Sequence, residues 1–288
     1  MKCVMTKYSV VAFLFLVLLS SCGEYSYVQK TNDYEYKYEL AKASYIEGRY
    51  GRASELFVSV LAIMKGTTYG EECLYMLAKS TFMQGDYESA ASYFQKYYQS
   101  YPRGTFVEQA RYYSGYSLYK QTPDVRLDQQ STRAAINEFQ TFIDAYPNSS
   151  LREPTQELIY LLQDKLVEKE YLAAKLYYDL GNYRNNSAYG GSNYEACVVT
   201  AQNALKDYPF ASPERREEFG ILILRSKYEL ACQSVEEKHN ERYRDAIDEY
   251  YAFINDFPES KYLAEATSIF KHADNFVKKK KLNITEEE

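Results

Sequence analysis

A spacing of 37 residues, repeated through the first half of the chain, constrains what this sequence can fold into more than any other feature. Gly48-Arg49-Tyr50 returns as Gly85-Asp86-Tyr87, with Ala53 and Phe57 matched by Ala90 and Phe94. Ahead of those turns, Tyr38, Tyr75 and Tyr112 form a series at the same spacing, as do Lys42, Lys79 and Tyr116, and again Tyr45, Phe82 and Tyr119. A unit this short cannot bury its apolar stripe alone, so a sustained period means copies stacked on one another.

The stretch from Met83 to Pro102 shows what each copy is made of. A helix turns at Gly85, a second helix sets small Ala90 against large Phe94, and Pro102 stops it. Gly85 supplies backbone freedom, Ala90 allows close approach, Phe94 fills the groove, and Pro102 cannot continue a helix. This order of turn Gly, Tyr, Ala, Phe and terminal Pro resembles the tetratricopeptide (TPR) repeat. A fourth copy runs from Glu170 to Gly181, with Tyr171, Lys175 and Tyr178 in the aromatic and basic positions. The fifth, Lys227-Tyr228-Glu229-Leu230-Ala231, repeats Lys37 to Ala41 verbatim. Second helices close at Tyr146-Pro147, Tyr208-Pro209 and Phe257-Pro258, with Phe139, Phe142, Tyr250 and Phe253 on inner stripes. The expected fold is all-α, a TPR-like solenoid of about five helical hairpins with a C-terminal capping helix. Apolar spacing between Pro154 and Val167 predicts a helix continuous with the next. The expected organisation is an N-terminal half of three repeats over 34–150, then two repeats and a cap over 151–277. The cap runs from Pro258 through Val277, and a charged, frayed tail occupies 278–288. Residues 121–132 and 185–192 lengthen the turns inside repeats three and four, as functional or mobile loops.

At the start of the chain, Lys2 and Lys7 precede the apolar run Val10 to Leu19 and then Ser20-Ser21-Cys22. The run is short for a bilayer span and is flanked like a secretory signal. Leu19-Ser20-Ser21-Cys22 looks like a bacterial lipobox, which makes 1–21 a lipoprotein signal peptide, Cys22 the lipidation site and 22–33 a lipidated tether. Several palmitate-type acyl chains at Cys22 would anchor the chain firmly, since one alone binds only marginally. Gly23 stands where Asp would be associated with retention at the inner membrane, so the outer membrane is the expected location.

The formal charge of −6, more acidic once Lys2 and Lys7 are removed, argues against a nucleic-acid partner, which needs clustered Lys and Arg. Cys73, Cys197 and Cys232 lack C-x-x-C spacing and are read as small core residues. His239 and His272 are far apart and fall on polar helix faces. Lys65-Gly66-Thr67 lacks the earlier glycine and the strand of a phosphate loop. Glu71, Glu72, Asp164 and Glu168 fall at helical surface spacing and are read as solvated. No catalytic residues, metal or cofactor are therefore expected, and the chain is read as a non-enzyme.

Positions 38, 42 and 45 share one face of a helix, and in the TPR pattern those offsets line the inner concave surface. Stacked copies give a candidate substrate-binding wall of Tyr38, Lys42 and Tyr45, then Tyr75, Lys79 and Phe82, then Tyr112, Tyr116 and Tyr119, with Tyr171, Lys175 and Tyr178 further on. Tyrosine and lysine together suit an extended or partly helical polypeptide carrying aromatic side chains and a carboxylate. The competing reading is that these tyrosines only pack between neighbouring helices.

The lipobox, the five repeats, the closure Tyr97 to Gly104, the third-repeat segment Pro123-Asp124-Val125-Arg126-Leu127-Asp128-Gln129 and the run Ala145 to Ser150 together resemble the BamD family. Leu162-Gln163-Asp164-Lys165-Leu166 with Glu170-Tyr171 adds to the likeness. These are the TPR lipoproteins of the machine that folds β-barrels into the outer membrane. The resemblance implies a scaffold on the periplasmic side of that membrane. Its N-terminal repeats would receive the targeting segments of unfolded outer-membrane proteins, and its C-terminal repeats would dock the central barrel subunit of the assembly complex. Two alternatives are a glycan-binding TPR lipoprotein, which usually presents Trp where this chain has none, and an envelope adaptor, which often begins with a coiled coil.

Overall fold

The computed structural model describes residues 31–183 and 192–286, with side chains as far as Lys279. The signal peptide, Cys22, the tether up to residue 30 and residues 185–191 of the second insertion lie outside the described residues. Among the described residues there are eleven helices and no strand. They are α1 (Tyr34–Ile46), α2 (Tyr50–Met64), α3 (Gly70–Met83), α4 (Tyr87–Ser100), α5 (Val107–Lys120), α6 (Gln130–Ala145), α7 (Arg152–Leu180), α8 (Asn193–Asp207), α9 (Pro213–Cys232), α10 (Glu236–Asp256) and α11 (Leu263–Glu286). The described residues group into two units, one of residues up to 123 and 130–159, the other of residues 124–129 and those from 160 onward.

Local chemistry accounts for the helix ends. Gly48 and Gly85, one repeat apart, turn the chain with φ of 76° and 89°, a region that costs a Cβ-bearing residue about 1 kcal/mol or more. Asp33 caps α1 by accepting from the Tyr36 N–H at 2.9 Å, and Asp86 caps α4 by accepting from Ser89 N–H at 3.1 Å. Tyr101, Tyr208 and Phe257 end α4, α8 and α10 with nearly the same backbone angles, ψ 65° in each. Each precedes a proline, whose ring bars the helical region to the residue before it.

In the first unit α1 packs on α2, α2 on α3, α3 on α4, α4 on α5 and α5 on α6, and α1 also meets α3. Ala53, Ala78, Ala90 and Ala110 are fully buried in the same cores as Phe57 and Phe94. Burying a side chain of phenylalanine size contributes about 1.5–3 kcal/mol, and the alanines let it happen by bringing the axes close. In the second unit α8 packs on α9, α9 on α10 and α10 on α11, with α9 also meeting α11. Val167 and Ala174 of α7, Cys197 and Ala201 of α8, and Phe219 and Leu222 of α9 form one core there. The chain is thus built of consecutive hairpins, α1–α2 through α9–α10, with α11 closing the series, as the all-α, TPR-like reading requires.

Several expectations need correction. The last helix begins at Leu263, because Pro258 to Ser260 form a turn in which the Ser260 hydroxyl accepts from Tyr262 N–H at 3.0 Å. It also runs on to Glu286, so Lys278 and Lys279 are helical rather than frayed, and Lys278 pairs with Asp274 at 2.6 Å one turn back. His239 is half-buried with its ring against Phe276 and Tyr243, at 5.4 and 6.1 Å, because α10 and α11 pack there. Cys73 and Cys197 are buried as expected, but Cys232 is exposed, at the end of α9.

At Gly115, α5 and α6 cross closely. A Cβ built on Gly115 would lie 2.7 Å from the ring of Phe139, itself fully buried. Gly115→Val is expected to lose about 1–3 kcal/mol through overpacking, which outweighs the roughly 0.5 kcal/mol that valine gains over glycine as a helix former. Urea denaturation of the two proteins side by side measures the difference, and equal midpoints would contradict it.

Candidate functional site

The first helices of the hairpins, α1, α3 and α5, carry the nine candidate wall residues. The leading tyrosine of each triplet packs on neighbouring rings. Tyr38 is 0% exposed and lies edge-on to Phe57, ring centroids 6.1 Å apart. Tyr75 stacks on Phe106 at 4.3 Å and meets Phe94 and Tyr97 edge-on, and burial pushes its phenol up to about 12. Tyr112 packs against Phe139 and Phe142 of α6 and stacks on Tyr116 at 5.7 Å. Tyr38 is therefore sealed inside a seam, whereas Tyr75 and Tyr112 pack on neighbouring rings while staying half-buried. Tyr45, Lys79, Phe82, Tyr116 and Tyr119 are half-buried as well.

Those positions form one run of rings across neighbouring helices. Phe82 of α3 lies 5.3 Å from Tyr113 and 5.8 Å from Tyr116 of α5, and Tyr116 is 5.6 Å from Tyr119. Tyr45 of α1 lies edge-on to Tyr50, ring centroids 5.4 Å apart. Burial raises its phenol's pKa, and the neighbouring Tyr50 and Tyr113 phenols raise it further. Tyr113 stacks on Phe94 and sits at the centre of the run, yet the repeat does not pick it out. At the 37-residue spacing its counterparts are Met76 and Glu39, so no periodic series passes through it.

The two lysines of the pattern differ in charge state of their surroundings. Lys42 pairs with Glu72 of the next hairpin at 3.2 Å and with Glu39 at 4.0 Å, and its ammonium lies 5.2 Å from the Tyr38 ring centre. Burial works against the Glu72 charge, but the Tyr38 hydroxyl and the Lys42 ammonium outweigh it and hold the carboxyl below its usual 4.5. Lys79 has no carboxylate within ion-pair reach among the described residues. Its ammonium rests 3.7 Å from the Tyr113 ring centre and 5.9 Å from that of Phe82. A reason is visible in the repeat: one period after Glu72 stands neutral Gln109. Lys120, absent from the repeat pattern, adds a second cation, 5.3 Å from the Tyr116 ring and 5.9 Å from that of Tyr119. Cation–π contacts at such sites contribute about 0.5–2 kcal/mol and leave the ammonium able to meet an anion.

The carboxylates read as solvated are mostly engaged. Glu71 accepts from the Tyr97 hydroxyl at 2.7 Å and from the Thr105 N–H at 2.6 Å, tying α3 to the turn that leads into α5. Glu72 serves Lys42, and Glu168 pairs with Arg215. Only Asp164 is exposed as expected. These partners lie about 26 to 47 residues away in sequence, beyond the reach of a helical-face argument.

In the second unit the corresponding face is saturated by its own charges. Lys175 pairs with Asp179 at 2.8 Å. Tyr171 lies edge-on to Phe219 with the Arg215 guanidinium 4.1 Å from its ring centre, and Tyr178 meets Tyr194. Arg225 forms a two-pronged bridge to Glu265 at 2.6 and 2.7 Å. Tyr171, Lys175 and Tyr178 thus do not reproduce the aromatic and basic strip of the first unit.

Among the described residues no cluster of His, Cys, Asp and Glu could hold a metal, and no helix is long and apolar enough to cross a membrane. Hairpins with small residues at their crossings make this a TPR-like helical-repeat protein. More specifically, the family model of the outer membrane lipoprotein YfiO matches residues 30–186, over half of the chain, and the chain belongs to that family. No curated protein matches it.

The Glu72 position yields a pH prediction. A carboxyl whose pKa is lowered by folding contributes stability that is fully present above its unfolded value and is lost as pH falls through its folded value. Glu72→Gln is expected to be less stable than the parent at neutral pH, by a margin that narrows as pH falls below about 4.5. Melting curves recorded at neutral pH and at about pH 3 measure the margin; a margin independent of pH would contradict the assignment.

Proposed function

We propose that this chain is a non-catalytic scaffold of the outer-membrane β-barrel assembly machinery, held at the membrane by acyl chains on Cys22 and facing the periplasm. In this reading the first unit receives the targeting segments of unfolded outer-membrane proteins along Phe82, Tyr113, Tyr116 and Tyr119, and the second unit docks the central barrel subunit. Membership of an outer membrane lipoprotein family supports the location and the assembly role. The observation that carries the binding role is the Lys79 ammonium, seated on Tyr113 with no carboxylate partner among the described residues. Rings supply apolar area with little rotamer entropy to lose, and an unpaired ammonium beside them selects a ligand with both an aromatic group and a carboxylate.

The lysines separate this reading from a purely structural one. Binding of a labelled peptide that ends in an aromatic residue with a free carboxylate is measured by fluorescence anisotropy. Lys79→Ala is expected to weaken it about tenfold, equivalent to about 1.4 kcal/mol, and amidating the peptide should cost a similar factor. Lys42→Ala is expected to change it less than about threefold, since Glu72 already satisfies that ammonium. Unchanged affinity in Lys79→Ala would remove the aromatic strip as the receiving surface. For the anchor, Cys22→Ala is expected to move the protein from the membrane fraction to the soluble periplasmic fraction on cell fractionation; retention at the membrane would refute lipidation at that residue.

A further inference from the structure

The segment 124–129, which lengthens the third repeat, is an ordered loop belonging to the second unit. Gln129 is 0% exposed, and its side-chain amide donates to the carbonyls of Asp124 at 2.8 Å, Leu127 at 3.1 Å and Val125 at 3.4 Å. The Lys169 ammonium of α7 donates to the Leu127 carbonyl at 2.8 Å, joining loop to helix. Despite this order, Leu127 is 58% exposed. Beside the loop, Lys169, Leu172, Ala173 and Leu176 fall at i, i+3, i+4 and i+7 on α7, one face of the helix, and Leu176 is 57% exposed. Arg126 and these residues line a cleft of about 480 Å3, within the range of ligand pockets. An apolar floor left open beside a rigid loop marks an interaction surface.

We infer that this cleft docks an acidic amphipathic helix of a partner protein. The inference rests on the docking role proposed for the second unit. Charge sets the sign of the partner. Arg126, Lys169 and Lys175 border the cleft, and its one carboxylate, Asp179, is already paired with Lys175. Arg126 has no carboxylate within ion-pair reach among the described residues. Backbone chemistry sets the partner's conformation. The wall of α7 is a helix with its peptide groups bonded internally, and the loop carbonyls of Asp124, Val125 and Leu127 are taken by Gln129 and Lys169. An extended peptide would find no ladder partners, whereas a helix brings its own hydrogen bonds and needs only apolar anchors spaced three and four residues apart. Leu172 and Leu176 offer the floor for such anchors, and Arg126 stands where flanking Asp or Glu would meet it.

Site-specific photo-crosslinking of the intact chain in its native envelope tests this. A photoreactive phenylalanine analogue replaces Leu127, Leu176 or, as an exposed position elsewhere on the second unit, Val199. The expected result is that positions 127 and 176 capture one and the same partner segment, identified by mass spectrometry, whose sequence sets apolar residues three and four apart with Asp or Glu beside them. Arg126→Glu should lower both yields at least about fivefold with an unchanged melting temperature, and Arg126→Lys should restore most of the yield, since either cation serves the electrostatic attraction. Adducts to lipid, to a second copy of this chain or to a basic or extended segment would overturn the inference. So would yields at 127 and 176 no higher than at Val199, or yields indifferent to Arg126→Glu. If the cleft is silent while a large barrel protein still co-purifies, this inference fails and the docking role stands; loss of that co-purification in the unsubstituted chain would remove the docking role itself.

Discussion

In the first unit, helices pack closely where one partner has almost no side chain. Ala53, Ala78, Ala90 and Ala110 are fully buried, and at Gly115 even a methyl group would press into Phe139. With axes drawn together, aromatic rings fill the remaining grooves at interior density, and each new hairpin covers the apolar face of the one before it. No single hairpin has a core of its own, which is why the small residues recur with the period of the fold.

The abundance of tyrosine follows from that arrangement. A tyrosine on the seam supplies ring area and then needs a partner for its hydroxyl, as Tyr97 finds in Glu71. A tyrosine one turn further round keeps its ring packed and its edge near solvent, as Tyr116 does. The same residue type can therefore hold the scaffold or face a ligand, depending on what packs against it. The lysines divide in a comparable way. Lys42 is neutralised by Glu72 from the following hairpin, and Lys79, in the same slot one repeat on, keeps its ammonium on an aromatic bed. One substitution between repeats, Glu72 against Gln109, accounts for the difference.

Hairpin number, helix order and the turn and stop residues were legible because each depends on residues within a few positions of one another. Gly48, Gly85 and the prolines after Tyr101, Tyr208 and Phe257 act on their own backbone, so their meaning does not change with context. The candidate strip was legible only in part. Phe82, Tyr116 and Tyr119 lie in the periodic series and on the strip, whereas Tyr113 and Lys120 lie on the strip alone. The carboxylates were misread because Glu71, Glu72 and Glu168 find their partners on other helices. The loop at 121–132 was recognisable as an insertion, but the burial of Gln129 that orders it was not.

By itself the sequence determined that this protein is a stack of helical hairpins with small residues at the crossings, since local turn chemistry and a 37-residue period admit no other arrangement of the apolar stripes. Tertiary structure decided which tyrosines are sealed into seams, which lysine keeps an unpaired charge and which loop is rigid. Those outcomes depend on distances between helices that are close in space and far apart in the chain, and side-chain spacing along one helix carries no information about them.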